Sequence, residues 1–249
     1  MKKLILCGAC GRMGRWVASE ACSHNFNIVC GINPKAKPYA EFPIYESFSQ
    51  VHEQADVLID FSLPSALPDL LSFIVSRKIP AVLCVTGYDN EQINAISKAS
   101  KEIPLFFSSN MSMGVYVLNR LAAQAKKFLP GYDIEIIEQH HRNKADAPSG
   151  TAKTLYETLK SADTNLVAGR NSQSGKRQDN DIGISSVRGG SINGIHEVCF
   201  LGDGENISIK HTAESRSIFA TGALKAAEFI IGKAPGLYSM DDYFLLTQQ

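Results

Sequence analysis

The chain has no excess of charge: its 249 residues carry 25 Lys and Arg against 25 Asp and Glu. The basic footprint that neutralises phosphates is missing, which excludes nucleic acid as the main partner. A long apolar run is missing too. Lys2 and Lys3 precede Leu4-Ile5-Leu6-Cys7, but the run stops at Gly8, short of the roughly seven to fifteen apolar residues of an export signal. Nothing approaches the roughly twenty apolar residues of a membrane span, so no membrane partner and a cytoplasmic location are expected. Six cysteines, at positions 7, 10, 22, 30, 84 and 199, fall mostly in apolar or glycine-rich segments and read as buried free thiols, not a disulfide framework. Cys7-Gly8-Ala9-Cys10 has redox-motif spacing, but it overlaps a glycine turn and is assigned to packing. There is no internal repeat.

What is present is strand–helix alternation. Residues 3–7, 27–32, 57–61, 81–85 and 105–107 read as strands, several of them continuous apolar runs suited to burial on both faces. Helical patterns at 12–23, 64–76 and 91–101 lie between them, the last opened by Asp89 with Gln92 in a capping-box spacing. This order predicts a Rossmann-like, doubly wound parallel sheet in the α/β class. The pattern changes after Asn110. A helix at 115–128, a strand at 133–140 and a helix at 150–160 precede strands at 182–187, 196–201 and 206–210, with Gly202-Asp203-Gly204-Glu205 as a hairpin turn. A second, α+β domain with a mixed sheet follows. The expected division is a dinucleotide-binding domain from 1–111 and 216–249, containing a returning helix at 218–231, and a substrate-binding domain from 112–215. The polar stretch 163–181 reads as a long surface loop.

Two segments carry chemistry. Gly8-Ala9-Cys10-Gly11-Arg12-Met13-Gly14 follows a strand and opens a helix. Gly8 permits the tight turn, Gly11 lets backbone approach a pyrophosphate, and Gly14 allows close helix–sheet packing. Cys10 stands where glycine is also common. The second strand ends in Gly31-Ile32-Asn33-Pro34-Lys35, without the carboxylate that favours NAD. Asn33 does not repel a 2′-phosphate, and Lys35 and Arg12 attract one. NADPH and NADH are both candidate cofactors, with NADPH used at least as well. Cys84-Val85-Thr86 and Ser108-Ser109-Asn110-Met111 lie at strand C-termini, where ligands bind in such sheets.

The second segment runs from Glu135 to Ala152. An apolar strand ends in a run with basic groups at His140, His141, Arg142 and Lys144, and Pro148-Ser149-Gly150-Thr151 then opens a helix. Free N–H groups at a helix start bind anions, so the segment reads as a pocket for a small, multiply anionic molecule. His and Lys also make it competent for acid–base chemistry. Adjacent histidines on a strand point to opposite faces, and no metal is expected.

The block His140-His141-Arg142-Asn143-Lys144-Ala145-Asp146-Ala147-Pro148-Ser149-Gly150-Thr151-Ala152 resembles the signature of the dihydrodipicolinate reductase family. The glycine turn, Asp56-Val57-Leu58-Ile59-Asp60-Phe61-Ser62, Ser109-Asn110-Met111-Ser112-Met113-Gly114-Val115 and Ser215-Arg216-Ser217-Ile218-Phe219-Ala220-Thr221-Gly222-Ala223 fit in the same order, across nearly the whole chain. The resemblance implies hydride transfer from NADPH or NADH to a cyclic dicarboxylate imine on the route to diaminopimelate and lysine, with loss of water. It implies His140 as acid/base, Lys144 as proton donor and His141 as a substrate contact. Ser149, Gly150 and Thr151 would hold a carboxylate at the helix start, and residues 84–86 and 108–111 would face the nicotinamide. The family usually has glycine and threonine where this chain has Cys84 and Val85. A homotetramer built through the second domain's sheet is also implied. Two rival readings are another two-domain nicotinamide oxidoreductase acting on an amino or keto acid, and a non-catalytic dinucleotide sensor. A sensor has no reason to keep both His140 and Lys144 beside an anion pocket.

Overall fold

In a computed structural model that describes residues 1–37 and 39–247, the chain divides into two compact units. One comprises Met1–Met111 with Arg216–Gln249, the other Ser112–Ser215. Residues 248 and 249, at the end of the 216–249 segment, lie outside the described residues.

The first unit holds a seven-stranded sheet. Its strands are β1 (Lys2–Cys7), β2 (Phe26–Ile32), β3 (Ile44–Tyr45), β4 (Val57–Asp60), β5 (Ala81–Leu83), β6 (Pro104–Phe107) and, after the second unit's residues, a last strand at Gly236–Tyr238. The last strand pairs with β6, and the order then runs β6-β5-β4-β1-β2-β3. Every pairing is parallel. Leu4, Ile5, Leu6, Val57, Leu58, Ile59, Ala81, Val82 and Leu83 have no exposed surface, which is the two-sided burial that continuous apolar strands require. Helices α1 (Arg12–Glu20), α2 (Leu67–Arg77) and α3 (Asn90–Ala99) join successive strands. Alternate strand residues Ile5, Cys7, Leu58, Ala81 and Leu83 pack with Leu70, Phe73 and Ile74 of α2 and Ile96 of α3. The returning helix at Ser217–Ile230 contacts α1 and strands β4 to β6, using the small buried residues Ala220, Gly222, Ala223, Ala226 and Ala227. Asp89 caps α3 as expected, accepting from the Gln92 backbone while Gln92 returns the bond.

The second unit opens with α4 (Met113–Phe128), followed by β7 (Asp133–His140), α5 (Gly150–Leu159), β8 (Asn165–Ala168), β9 (Asp181–Arg188), β10 (Gly194–Leu201) and β11 (Asn206–Ala213). The sheet order is β11-β10-β7-β9-β8. β7 runs antiparallel to β10 and parallel to β9, so the sheet is mixed, and β10 and β11 form the expected hairpin. Helices α4 and α5 cover one face through Leu118, Ala122, Leu155 and Leu159, packed on Ile134, Ile136, Ile182, Ile184, Val198 and Phe200. The 163–181 stretch is not wholly a loop: it contains β8. Its Leu166 and Val167 are too short an apolar signal to read in isolation, but β9 supplies a parallel ladder on which they pair. The residues after it are pinned. Arg170 meets Asp181 at 2.8 Å, and Arg177 meets Asp133 at 3.1 Å. The first unit's last strand and its C-terminal helix, Met240–Thr247, had no counterpart in the sequence reading.

Candidate active site

In the first unit, the candidate cofactor residues gather at the carboxyl ends of β1, β2, β5 and β6. Neighbours β2 and β4 flank β1 on opposite sides, which makes β1 the switch point where doubly wound sheets bind ligands. Gly8 takes φ +76°, and a side chain there would lie 2.5 Å from the Phe61 carbonyl oxygen. Its N–H donates to Ile32 O at 2.9 Å, and Gly11 N–H returns to Gly8 O at 2.9 Å, closing the turn. Gly11 is the N-cap of α1 and no side chain caps that helix end, leaving the first-turn N–H groups for an anion. A Cβ on Gly14 would sit 2.3 Å from Gly8 O. The absent side chains thus form a cradle that fits a pyrophosphate. Tyr39 closes the turn from outside: its hydroxyl donates to Ala9 O at 2.8 Å, and the Arg15 guanidinium stacks 4.3 Å from its ring centre.

The other cofactor candidates divide by what they offer. Asn33 donates its side-chain N–H to Lys35 O at 3.2 Å, so Asn33 and Lys35 share one turn, with Lys35 exposed. Arg12 is exposed and Met13 half-buried. Arg12 also faces Arg216, whose pKa is lowered first by burial and then by Arg12. Ala9, Cys84, Val85 and Met111 are buried, so they present backbone, while Thr86 is exposed. Ser108 Oγ donates to Asn110 O at 2.7 Å, shaping the 108–111 turn; Ser109 is exposed within it.

In the second unit, β7 changes character along one face. Ile134 and Ile136 enter the core, and two residues further the same face carries Glu138 and His140, both buried. Alternation on a strand puts all four on one side. Glu138 Oε2 lies 2.5 Å from His140 Nδ1. Arg188 is the β9 partner of His140 and grips the carboxylate at both oxygens, Nη1 to Oε2 at 2.8 Å and Nη2 to Oε1 at 2.6 Å. Ser149 N–H adds a bond to Oε1 at 3.2 Å. Burial works to raise the Glu138 pKa, but hydrogen bonds from Arg188, Ser186 and His140 prevail and bring it down to about 2. His140 is lowered, by burial first and also by the charges of Lys144 and Arg188; these outweigh the upward pull of Glu138. Burial is the main reason, and the charges of Lys144 and Arg188 add to it.

Around this pair stand the other candidates. Lys144 is mostly buried and meets Asp146 at 2.7 Å, and the Asp146 carbonyl accepts from Arg188 Nη2 at 2.7 Å. Asp146 therefore ties the 141–149 loop to β9. His141, just past β7, is half-buried, its backbone N–H donating to Ile192 O at 2.8 Å. The Ala147–Pro148 peptide is cis. Ser149 caps α5 by accepting from Ala152 N–H at 3.3 Å, and its Oγ lies 3.0 Å from His196 Nε2. His196 stacks edge-on to His140 with ring centres 5.2 Å apart. Burial, then the proximity of His140, pushes its pKa down to about 4. Gly150 offers open space where a side chain would stand, so the helix start is approachable. The structure thus groups His140, Lys144, Ser149 and the start of α5, and adds Glu138, Arg188 and His196, which the sequence reading had not named. Glu138 had a signal, its place two residues before His140 on one strand. Among the described residues, no group of three or more His, Cys, Asp or Glu is placed to hold a metal ion.

Both units match described protein domains. Residues 2–111 match "Dihydrodipicolinate reductase, N-terminus" and residues 114–244 match "Dihydrodipicolinate reductase, C-terminus". The chain belongs to the dihydrodipicolinate reductase family. A 4-hydroxy-tetrahydrodipicolinate reductase of Caldanaerobacter subterraneus subsp. tengcongensis is 46% identical over 97% of this chain and 98% of its own length. One of Clostridium novyi is 47% identical over 97% and 98%. Among solved structures, a dipicolinate-bound dihydrodipicolinate reductase from Paenisporosarcina sp. TG-14 superposes with a TM-score of 0.79 at 22% identity, over 96% of this chain and 97% of that one. That likeness gives the same fold. As a member of the family the chain is an NAD(P)H-dependent oxidoreductase of the diaminopimelate/lysine route.

Proposed function

We infer that this chain reduces 4-hydroxy-tetrahydrodipicolinate to tetrahydrodipicolinate, with its 4-hydroxyl leaving as water, by a division of labour between its units. Residues 1–111 and 216–249 hold NADPH or NADH; residues 112–215 hold the dicarboxylate substrate. The observation that carries the reading is one buried, pre-oriented histidine grouped with a lysine and an approachable helix start.

Bound NAD(P)H supplies a hydride. In the first unit, Gly8, Ala9, Cys10, Gly11, Arg12 and Met13 receive the pyrophosphate, and Asn33 and Lys35 the adenosine end. Residues 84–86 and 108–111 face the nicotinamide. In the second unit, Ser149, Gly150 and Thr151 receive a substrate carboxylate at the start of α5, and His141 contacts the substrate. Lys144 donates a proton to the electron-rich ring left by hydride addition, and its charge stabilises the transition state. His140 serves as acid/base. The face of the second sheet away from α4 and α5 carries exposed Val187 and Leu201, which supports a homotetramer assembled through that face. No helix among the described residues is long and apolar enough to cross a membrane, consistent with work in the cytoplasm. The test is NADPH oxidation followed by absorbance, with the dihydrodipicolinate synthase product as substrate. Turnover dependent on that product is expected; NADPH oxidation with an amino or keto acid instead would overturn the reading.

A further inference from the structure

The acid/base histidine is gripped from behind by a buried carboxylate, itself held by the partly exposed Arg188. Glu138 has no exposed surface, and its two oxygens are fully engaged. Oε1 takes Arg188 Nη2 and Ser149 N–H; Oε2 takes Arg188 Nη1 and His140 Nδ1. An ionised carboxylate can only accept, so the His140 nitrogen 2.5 Å from Oε2 must carry the proton. The opposite nitrogen, Nε2, looks past Gly194, where an added Cβ would stand 3.2 Å away. Any larger side chain at that position would crowd Nε2.

We propose that Glu138, clamped by Arg188, is the positioning residue for His140: it fixes the ring proton on Nδ1 and leaves Nε2 as the nitrogen offered to the reaction. The inference rests on the acid/base assignment of His140. Arg188 has two parts in it. Its fork holds the carboxylate in one orientation, and its charge balances Glu138, so the ring gains an orienting acceptor without a net negative neighbour. The clamp also fixes the loop, through the Asp146 carbonyl. Orientation of an imidazole by a buried carboxylate is a general device in acid–base sites.

The experiment compares the unmutated enzyme with Glu138→Gln. A glutamine has one carbonyl oxygen. The Arg188 guanidinium takes it as the stronger donor, which turns the amide NH2 toward His140 Nδ1 and forces the ring proton to Nε2. Nitrogen chemical shifts of isotope-labelled histidine, with the His140 signal assigned by its loss in His140→Asn, read this directly. The expected result is an Nδ1–H tautomer in the unmutated protein and an Nε2–H tautomer in Glu138→Gln. With it should come a fall in kcat of about 10²-fold or more and an unchanged KM for NADPH. A merely structural glutamate would lower stability and leave the tautomer alone. An Nε2–H tautomer in the unmutated protein overturns the proposal without any variant, so a Glu138→Gln that failed to fold would not shield it. Near-normal kcat in a folded Glu138→Gln also overturns it. If the unmutated protein shows the Nδ1–H tautomer but no turnover, the functional assignment fails and the positioning geometry stands.

Discussion

Replacing Gly14 by alanine should damage the cofactor turn more than the helix that carries the residue. The added Cβ would stand 2.3 Å from Gly8 O and 2.6 Å from Ala9 O, whereas carbon–oxygen contacts settle near roughly 3.3 Å. Both contacts are backbone, so no side chain can swing aside. The carbonyls must retreat by about 1 Å, or α1 must lift from β1. Overpacking of this kind costs about 1–3 kcal/mol, and the better helix propensity of alanine returns about 1 kcal/mol. A net loss of up to about 2 kcal/mol corresponds to a fall in Tm of up to roughly 8 °C for a domain of this size. The retreating carbonyls belong to the residues that hold the turn, so NADPH should bind about tenfold more weakly, equivalent to about 1.4 kcal/mol. Calorimetry and a fluorescence titration with NADPH read the two effects. Gly189→Ala is the control, since a Cβ there meets nothing within 4 Å. Gly14→Ala with unchanged Tm and unchanged NADPH affinity would refute the argument that this glycine exists to let the helix close on the turn.

Further outcomes follow from the same site. Lys144→Ala and His140→Ala should each lower kcat by about 10²-fold or more, with NADPH affinity barely moved, as a titration of the folded variants would show. Lys35→Glu should move the ratio of kcat/KM for NADPH over NADH toward NADH, and the native preference should shrink at high salt; a strong native preference for NADH would refute it. His196 is held neutral, with burial lowering its pKa from the usual 6.5 to about 4. Its contribution to stability is complete above pH 6.5 and is lost as pH falls from 6.5 toward 4, by roughly 3 kcal/mol at most. Tm measured across that window should therefore fall less steeply in His196→Asn. Sedimentation at micromolar concentration should give a tetramer, and a monomer would remove the assembly assigned to the second sheet.

The fold was legible where the period of apolar residues is strong. The parallel strands are near-continuous runs such as Leu4-Ile5-Leu6, and the hairpin announces itself by Gly202 and Gly204. β8 was not legible, because two apolar residues on an edge strand carry no period. The last strand, Gly236–Tyr238, is similarly brief and exists through its pairing with β6. In the candidate site, His140 and Lys144 stand out because cations adjacent in sequence cannot all be core. Arg188 does not: it lies 48 residues beyond His140, and only the parallel pairing of β7 with β9 makes them neighbours. His196 likewise reaches the site through β10, opposite Glu138. Non-local strand pairing, invisible in a linear pattern, assembled that half of the constellation.

The face of β7 that begins in the core and ends in the site has an evolutionary consequence. A single-residue insertion or deletion between Ile136 and Glu138 would put Ile134 and Ile136 on the opposite face from Glu138 and His140. Packing and chemistry are written on one side of one strand, so such a change cannot keep both. Lineages of this chain should therefore tolerate length variation in the 169–180 segment and none in β7. A library of random insertions selected only for folding would, at this strand, preserve the catalytic geometry without ever being asked to.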